Sequence, residues 1–162
     1  MRVLIGILAL VAQATITSAP GDRYFGRLKM SALRIRYETM QLKKRYEAHE
    51  LLPGQAEHLL ILTEDAFQQW ARLYPKDPWL PSTGFAIAHL YEELPGQVAR
   101  DRAVALLVLV KSRFPGSSYA SASRDHLHRG VPTKPDPAWA LPPTTSPSVT
   151  PTATPTASPR SR

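Results

Sequence analysis

The sequence contains no cysteine in its 162 residues. Disulfides, thiol redox chemistry, cysteine-ligated metal sites and a lipid anchor on an N-terminal cysteine are therefore excluded. Small exported domains of eukaryotes usually depend on disulfides, whereas bacterial envelope proteins are often exported without them. For an exported chain, the missing cysteine thus favours a bacterial envelope protein over a eukaryotic secreted domain.

The sequence also lacks the short patterns by which most enzyme sites are recognised. Gly54, Gly96 and Gly116 each stand singly after a proline, so no glycine-rich loop is available to hold phosphate. Glu92 and Glu93 are adjacent, and adjacent residues point about 100° apart on a helix, so they form no acid–base pair by themselves. No two of the five histidines have the three- or four-residue spacing at which one helix face binds a metal. We therefore predict a protein that is not an enzyme and that uses neither a cofactor nor a metal.

Residues 1–19, MRVLIGILALVAQATITSA, are typical of a secretory signal peptide, with one basic residue, an apolar run and then small residues. The apolar run, residues 3–12, is shorter than the roughly 20 residues needed to span a bilayer. Cleavage after Ala14 fits the A-x-A pattern best, and cleavage after Ala19 is the second choice because Pro20 would follow the cut bond. We expect export to the periplasm, the cell envelope or the medium, with retention as an uncleaved anchor as the alternative.

The C-terminal segment, residues 131–162, consists mainly of proline, threonine and serine. Proline removes backbone donors, and so few apolar groups remain that no core could offset the entropy lost on ordering. This composition predicts a disordered tail, either without a task or as an extended spacer through wall material with sugars on threonine and serine. A helical domain of residues 22–130 is left between the two ends.

Prolines and glycines divide this domain into helical segments. The prolines fall between stretches of good helix formers, as expected from their missing donor and ring clash. No stretch alternates apolar and polar residues for long enough to be a strand, so the sequence predicts an all-α fold. Helices are expected at 23–51, with Asp22 as N-cap, at 55–73, 81–94 and 98–113, and in a short fifth segment that ends near Gly130.

The breaks between these segments repeat along the chain. LPGQ occurs at residues 52–55 and again at 94–97, and an aromatic residue before proline occurs at 74–75 and again at 114–115. Recurrence of two motifs in the same order, about forty residues apart, is typical of helical hairpins stacked in a solenoid. We therefore expect a short α-hairpin solenoid of about five helices.

Residues 66–79 and their echo at 103–120 resemble tetratricopeptide repeats of bacterial envelope proteins, in which the second helix of a unit ends at an aromatic–proline turn. The likeness covers about residues 60–128 and implies a scaffold that binds another protein. The chain departs from the family pattern in its longer inter-helix turns and in Thr63 and Trp70, which replace small residues. The last unit fits best, with small, aromatic and packing positions expected at Gly84, Ala88, Tyr91, Ala103, Leu107 and Val110, and the terminal proline at Pro115.

In such a solenoid the first helices of successive hairpins line one concave side. The first, third and fifth helices are therefore expected to form a groove for a partner helix or an extended peptide. A groove of mixed charge, rich in tyrosine and arginine, suits a protein partner. The residues predicted to bind this partner are Arg34, Tyr37, Gln41, Lys44, His89, Tyr91, Glu92, Arg124 and His128.

The first predicted helix carries two apolar stripes. One stripe suffices for packing on the hairpins, so the second is either buried in the same fold or free for self-association or a partner helix. The first stripe comprises Phe25, Leu28, Ala32, Ile35, Thr39, Leu42 and Tyr46, and the second comprises Met30, Leu33, Tyr37 and Met40.

Most of the excess positive charge lies on the same helix, because residues 22–50 contain eight basic residues and only four acidic ones. The alternative function is therefore a surface-associated structural protein, whose basic helix docks on an anionic membrane or an acidic wall polymer. Nucleic acid is not expected as a partner, because arginine and aromatic residues do not interleave as base stacking requires.

Overall fold

The computed structural model describes residues 18–141, and this part of the chain is all-helical, as predicted. Within it, the only strand-like pairings are two isolated bridges. The helices are α1 (Ala32–Glu47), α2 (Pro53–Leu73), α3 (Leu80–Glu93), α4 (Gln97–Arg113) and α5 (Ser118–Arg129), followed by a 3₁₀ turn at Ala138–Ala140.

The helices pack as stacked hairpins. α1 pairs with α2, α3 pairs with α4, and α5 packs against α4 as the first half of a further unit. α3 contacts all four other helices and has α1 and α5 as neighbours. This arrangement confirms the short helical solenoid, with the first helices of successive units side by side.

The core is closely packed where α3 crosses α2 and α4. A Cβ at Gly84 would lie 2.8 Å from Cζ of Phe67 and 2.9 Å from Cγ2 of Val110. Only glycine therefore lets α3 approach both helices at this point. Around it, the aromatic rings of Trp70 and Tyr91 are fully buried.

The predicted start of the first helix is wrong. Gly26 and Lys29 have φ of 66° and 48°, which a right-handed helix does not contain. Between them the chain reverses, so that Phe25 and Met30 exchange backbone hydrogen bonds. α1 begins only after Ser31, whose hydroxyl accepts the N–H of Arg34 at 3.2 Å. Burial of Phe25 against α2, which the sequence pattern does not reveal, stabilises this loop instead of another helical turn.

The two apolar stripes of α1 have different environments. Most of the first stripe is buried, whereas Leu33, Tyr37 and Met40 of the second are 71%, 53% and 46% exposed. Burial of both stripes within one chain, one of the two expectations, is therefore wrong. We call Leu33, Tyr37 and Met40 the outer stripe.

The domain extends past residue 130, where the tail was predicted to begin. Val131 is buried, the carbonyl of Lys134 accepts the N–H of Gly96 at 2.9 Å, and the Trp139 ring stacks on His49 with 4.4 Å between centroids. Residues 131–141 thus belong to the folded unit, because two apolar side chains in a proline-rich stretch find partners on distant helices. Residues 142–162 and the predicted signal peptide up to residue 17 lie outside the described part of the chain.

No helix within residues 18–141 is both long enough and apolar enough to cross a membrane.

Candidate functional site

An open groove runs between α1 and α3 on the outer side of the first-helix layer. Its volume is about 350 Å³, and a second hollow of about 230 Å³ continues it toward the N-terminal ends of both helices. The groove is lined by Arg36, Thr39, Met40, Lys43, Phe85, Ala86 and His89, and the continuation adds Ser82 and Thr83. We call this site the α1–α3 groove.

The helical repeat explains why these side chains meet. Arg36, Met40 and Lys43 recur at four- and three-residue steps and therefore share one flank of α1. Phe85 and His89 are one turn apart on the facing flank of α3. At 1.5 Å per residue, the span from Arg36 to Lys43 is about 10 Å, which matches two turns of a bound helix.

The rim of the α1–α3 groove is charged, and the charges at its Lys43 end are already paired. Lys43 donates to Glu93 and lies 2.9 Å from Glu47, and Nδ1 of His89 lies 3.2 Å from Glu93. Partial burial alone would lower the pKa of Lys43, but hydrogen bonds to Glu93 and Glu47 outweigh it and raise that pKa. A ligand in the groove therefore meets a rim on which Lys43 is already paired, whereas Arg36 stacks on Trp79 and forms no ion pair within residues 18–141.

α5 closes the far side of the same surface. Phe85 contacts the rings of Tyr119 and His126, with centroids 5.7 Å and 5.5 Å apart. Nδ1 of His126 lies 2.9 Å from Oε1 of Glu92. Aromatic and imidazole rings thus continue the apolar floor from α3 onto α5.

A separate polar cluster lies in the core behind α3. The hydroxyl of Tyr91 and the guanidinium of Arg102 both donate to Oε2 of Glu64, each at 2.8 Å. Burial, then the charge and hydrogen bond of Glu64, raise the pKa of Tyr91 well above its usual range. Burial would lower the pKa of Arg102, but the hydrogen bond to Glu64 raises it. Because these groups satisfy one another across α2, α3 and α4, the cluster serves packing.

Of the residues predicted to bind a partner, His89 lines the groove, and Glu92 contacts His126 of α5. Tyr91 is fully buried in the core, so its predicted placement is wrong. Tyr37 and Lys44 are exposed on the outward side of α1.

The other predicted residues lie on the flanks turned away from the groove. Residues that are two positions apart on a helix point about 160° apart around the helix axis. Arg34 stands two positions from Arg36, and Gln41 two from Lys43. The same shift separates Arg124 and His128 from His126. Tyr91 has this relation to His89, so the same helical phase error accounts for these five residues, whereas Tyr37 and Lys44 are rotated by about 100° from Arg36 and Lys43.

Several groove residues were not predicted, and the buried stripe of α1 would have found some of them. Arg36, Met40 and Lys43 each directly follow a buried residue of α1, about 100° further round the helix. Thr39 is itself a buried residue of α1. The other unpredicted residues require knowledge of how the helices are placed next to one another, and they are Ser82, Thr83, Phe85, Ala86, Tyr119 and His126.

Within residues 18–141, no group of three histidine or carboxylate side chains is arranged to hold a metal ion. Comparison with family models, characterised proteins and solved structures finds no match, so the positions expected from the tetratricopeptide resemblance remain a prediction.

Proposed function

We propose that the protein is a non-catalytic scaffold that binds a protein partner in the α1–α3 groove. The observation that carries this proposal is an open, largely apolar groove between neighbouring first helices, extended by aromatic side chains onto α5. Export to the periplasm or cell envelope, as the N-terminal sequence predicts, would make an envelope protein the partner.

The chemistry of the groove indicates which partner fits. Met40, Phe85 and Ala86 offer apolar surface, and the charges of Lys43 and Glu93 are already paired. Apolar side chains of the partner therefore supply the binding energy, at about 25 cal/mol per Å² of surface removed from water. A helix with apolar residues at three- and four-residue steps, or a short extended peptide, matches the length of about 10 Å.

The test is capture from the source envelope with a groove-filling variant. Ala86 lies in the groove on the exposed side of α3, so Ala86→Trp fills the groove without entering the core. We expect capture of the partner to fall at least tenfold, as measured by quantitative mass spectrometry. Ala105→Trp is the matched control, because Ala105 is an exposed alanine of α4. Equal capture by both variants would contradict the groove as the binding site.

A second candidate function is supported by the outer stripe. Leu33 and Tyr37 are more than half exposed, and Leu33 adjoins Trp79, a half-exposed tryptophan over which the guanidinium of Arg36 stacks at 3.8 Å. Aromatic and aliphatic side chains among cations are typical of proteins that lie on anionic membranes. This face could dock the domain on anionic lipid or an acidic wall polymer.

The same capture experiment separates the two candidates through salt and a second variant. Surface docking weakens steeply as salt rises, because its cations face solvent, whereas apolar groove binding largely survives. Leu33→Ser with Tyr37→Ser should remove lipid binding and leave groove capture intact. Self-association through the outer stripe would appear instead as a change of molar mass in light scattering.

A further inference from the structure

A carboxylate without a cation lies beneath the N-terminal segment. Asp77 is only 2% exposed. Its Oδ2 accepts the backbone N–H of Ala19 at 2.8 Å and the indole N–H of Trp70 at 3.0 Å, and its Oδ1 accepts the N–H of Trp79 at 3.0 Å. Within residues 18–141, no lysine, arginine or histidine forms an ion pair with it.

Neutral donors compensate a buried negative charge only in part. Buried carboxylates in proteins are usually paired with a cation, because transferring the carboxylate from water to the interior costs about several kcal/mol. Arg36 is a cation that lines the same hollow as Asp77. Its guanidinium stacks on Trp79 instead and makes no ion pair with the carboxylate.

The position of Ala19 suggests the missing cation. Its nitrogen is already 2.8 Å from Oδ2 of Asp77, a distance typical of an ammonium–carboxylate hydrogen bond. The nitrogen is a neutral amide only because the chain continues into Ser18. A chain that began at Ala19 would place a positive α-ammonium at the same point.

We propose that the peptide bond between Ser18 and Ala19 is the processing site of this protein, and that the new α-ammonium of Ala19 forms an ion pair with Asp77. A water molecule supplies the hydroxyl that joins the carbonyl carbon of Ser18, and the C–N bond breaks. The Ala19 nitrogen takes up the other proton of the water and the proton released by the new carboxylic acid of Ser18, so that it becomes an ammonium and Ser18 ends in a carboxylate. The catalyst is a processing endopeptidase of the export route. The proposal rests on the predicted export and is independent of the α1–α3 groove.

The structure around the bond fits this use, although the residues before it, Ile16-Thr17-Ser18, depart from the A-x-A pattern. Ser18 is exposed and small, as the residue before a signal-peptide cut should be. Pro20 becomes the second residue, so it does not follow the cut bond directly. Cleavage after Ala19 would remove the donor to Asp77, and Ala19 itself packs against the core. A hollow of about 270 Å³ beside Ala19 and Asp77 has room for water on the remaining ammonium protons.

The first test is the N-terminus of the processed protein. The full chain is expressed with export in a bacterial host, recovered from the periplasm or medium, and analysed by N-terminal sequencing and intact mass. We expect a chain that begins at Ala19. A chain that begins at Thr15 or Pro20, or that keeps Met1, overturns the proposal.

The second test measures the ion pair itself. Two chains are compared, one that begins at Ala19 and one that begins at Ser18, where the ammonium is displaced by one residue and Ala19 keeps a neutral N–H. Since charged hydrogen bonds exceed neutral ones in strength, we expect an unfolding equilibrium constant about tenfold smaller for the first chain. Equal constants would overturn the ion pair.

Asp77→Asn serves as the control in both chains, because it removes the negative charge and should abolish the difference between them. A difference that persists in Asp77→Asn would show that the extra residue acts by another route and would overturn the ion pair. Where Asp77→Asn does not fold, the comparison of the two unsubstituted chains still decides.

Discussion

The hairpins α1–α2 and α3–α4 both turn through LPGQ, yet the two turns have different structures. In the first, Pro53 is already the first residue of α2, and the side chain of Gln55 accepts the N–H of Leu52 at 3.0 Å. In the second, the helix begins only at Gln97, after Gly96 with φ of 93°. The aromatic–proline breaks, in contrast, are nearly identical.

The aromatic–proline turns show what a local sequence can determine. Tyr74 has φ and ψ of −129° and 60°, and Phe114 has −126° and 51°. Each donates its N–H to the carbonyl four residues earlier. The following proline forbids a further helical turn in both places, so no distant contact is needed.

The LPGQ turns differ because only the second has a distant partner. Lys134 accepts the N–H of Gly96, and the hydroxyl of Thr133 donates to the side chain of Gln97 at 2.9 Å. The first turn has no such neighbour and keeps its glutamine for its own cap. Identical tetrapeptides thus adopt different helix starts when one of them is bound by another segment.

Ending the chain after Gly130 should remove the contacts that make the second LPGQ turn differ from the first. The truncation exposes the pocket of Val131 and removes the acceptors of Arg100 and Gly96. We expect the free energy of unfolding to fall by about 2–4 kcal/mol, from one buried valine and several hydrogen bonds. Urea denaturation measures this change. Hydrogen exchange should accelerate more at the amide of Gly96 than at that of Gln55.

Ending the chain after Leu141 is the control, since it keeps every contact of residues 131–141. It should leave both the unfolding midpoint and the exchange rates unchanged. Equal losses from the two truncations would contradict a specific role for residues 131–134.

The same substitution in the two LPGQ copies should have opposite effects. Gly54 lies in the first turn of α2 with open space around it, so Gly54→Ala should stabilise by up to about 1 kcal/mol. Gly96 has φ of 93° and ψ of 161°, a conformation that is essentially confined to glycine, so Gly96→Ala should destabilise by about 1–3 kcal/mol. Urea midpoints of both variants test this, and changes of the same sign would refute the structural difference.

Sequence reasoning succeeded where structure is decided locally. The bounds of α2, α3 and α4, to within two residues, and the end of α5 follow from proline and glycine at the helix ends, and the all-helical solenoid follows from them. The start of α1 was missed because the burial of Phe25 against Trp70 depends on residues far apart in the chain. Docking of residues 131–141 was missed for the same reason.

The candidate site was predicted only in part. That α1, α3 and α5 are neighbours follows from the repeat, but which flank of each helix faces the groove depends on helix rotation. The two stripes of α1 left that rotation undetermined, and only exposure of Leu33 and burial of Leu42 settle it. His89 was predicted correctly, whereas Lys43 and His126 were missed because the predicted rotation of their helices was wrong.

The smallest expected effect comes from comparing two tyrosines, one near the end of α1 and one near the end of α3. Tyr46 and Tyr91 are both buried, but only Tyr91 donates its hydroxyl to a carboxylate, that of Glu64. Burial, followed by nearby acidic charge, raises the pKa of both, and of Tyr91 far beyond its usual range. Well below pH 10, Tyr91 is protonated in both the folded and the unfolded chain. As the pH approaches and passes 10, Tyr91 ionises only in the unfolded chain, so the free energy of unfolding falls as pH rises.

Tyr91→Phe should therefore flatten the decline of stability above pH 10. At pH 10.5 the contribution of one such tyrosine is about 0.8 kcal/mol, from the ionised fraction of the unfolded chain. Urea midpoints from pH 8 to pH 10.5 measure it. Loss of the hydrogen bond to Glu64 lowers the free energy of unfolding by about 1 kcal/mol at every pH. The slope of that free energy against pH therefore reports only the ionisation of the tyrosine. A slope equal to that of the unsubstituted protein would show that Tyr91 ionises in the fold, and that its link between the hairpins is weaker than the contacts imply.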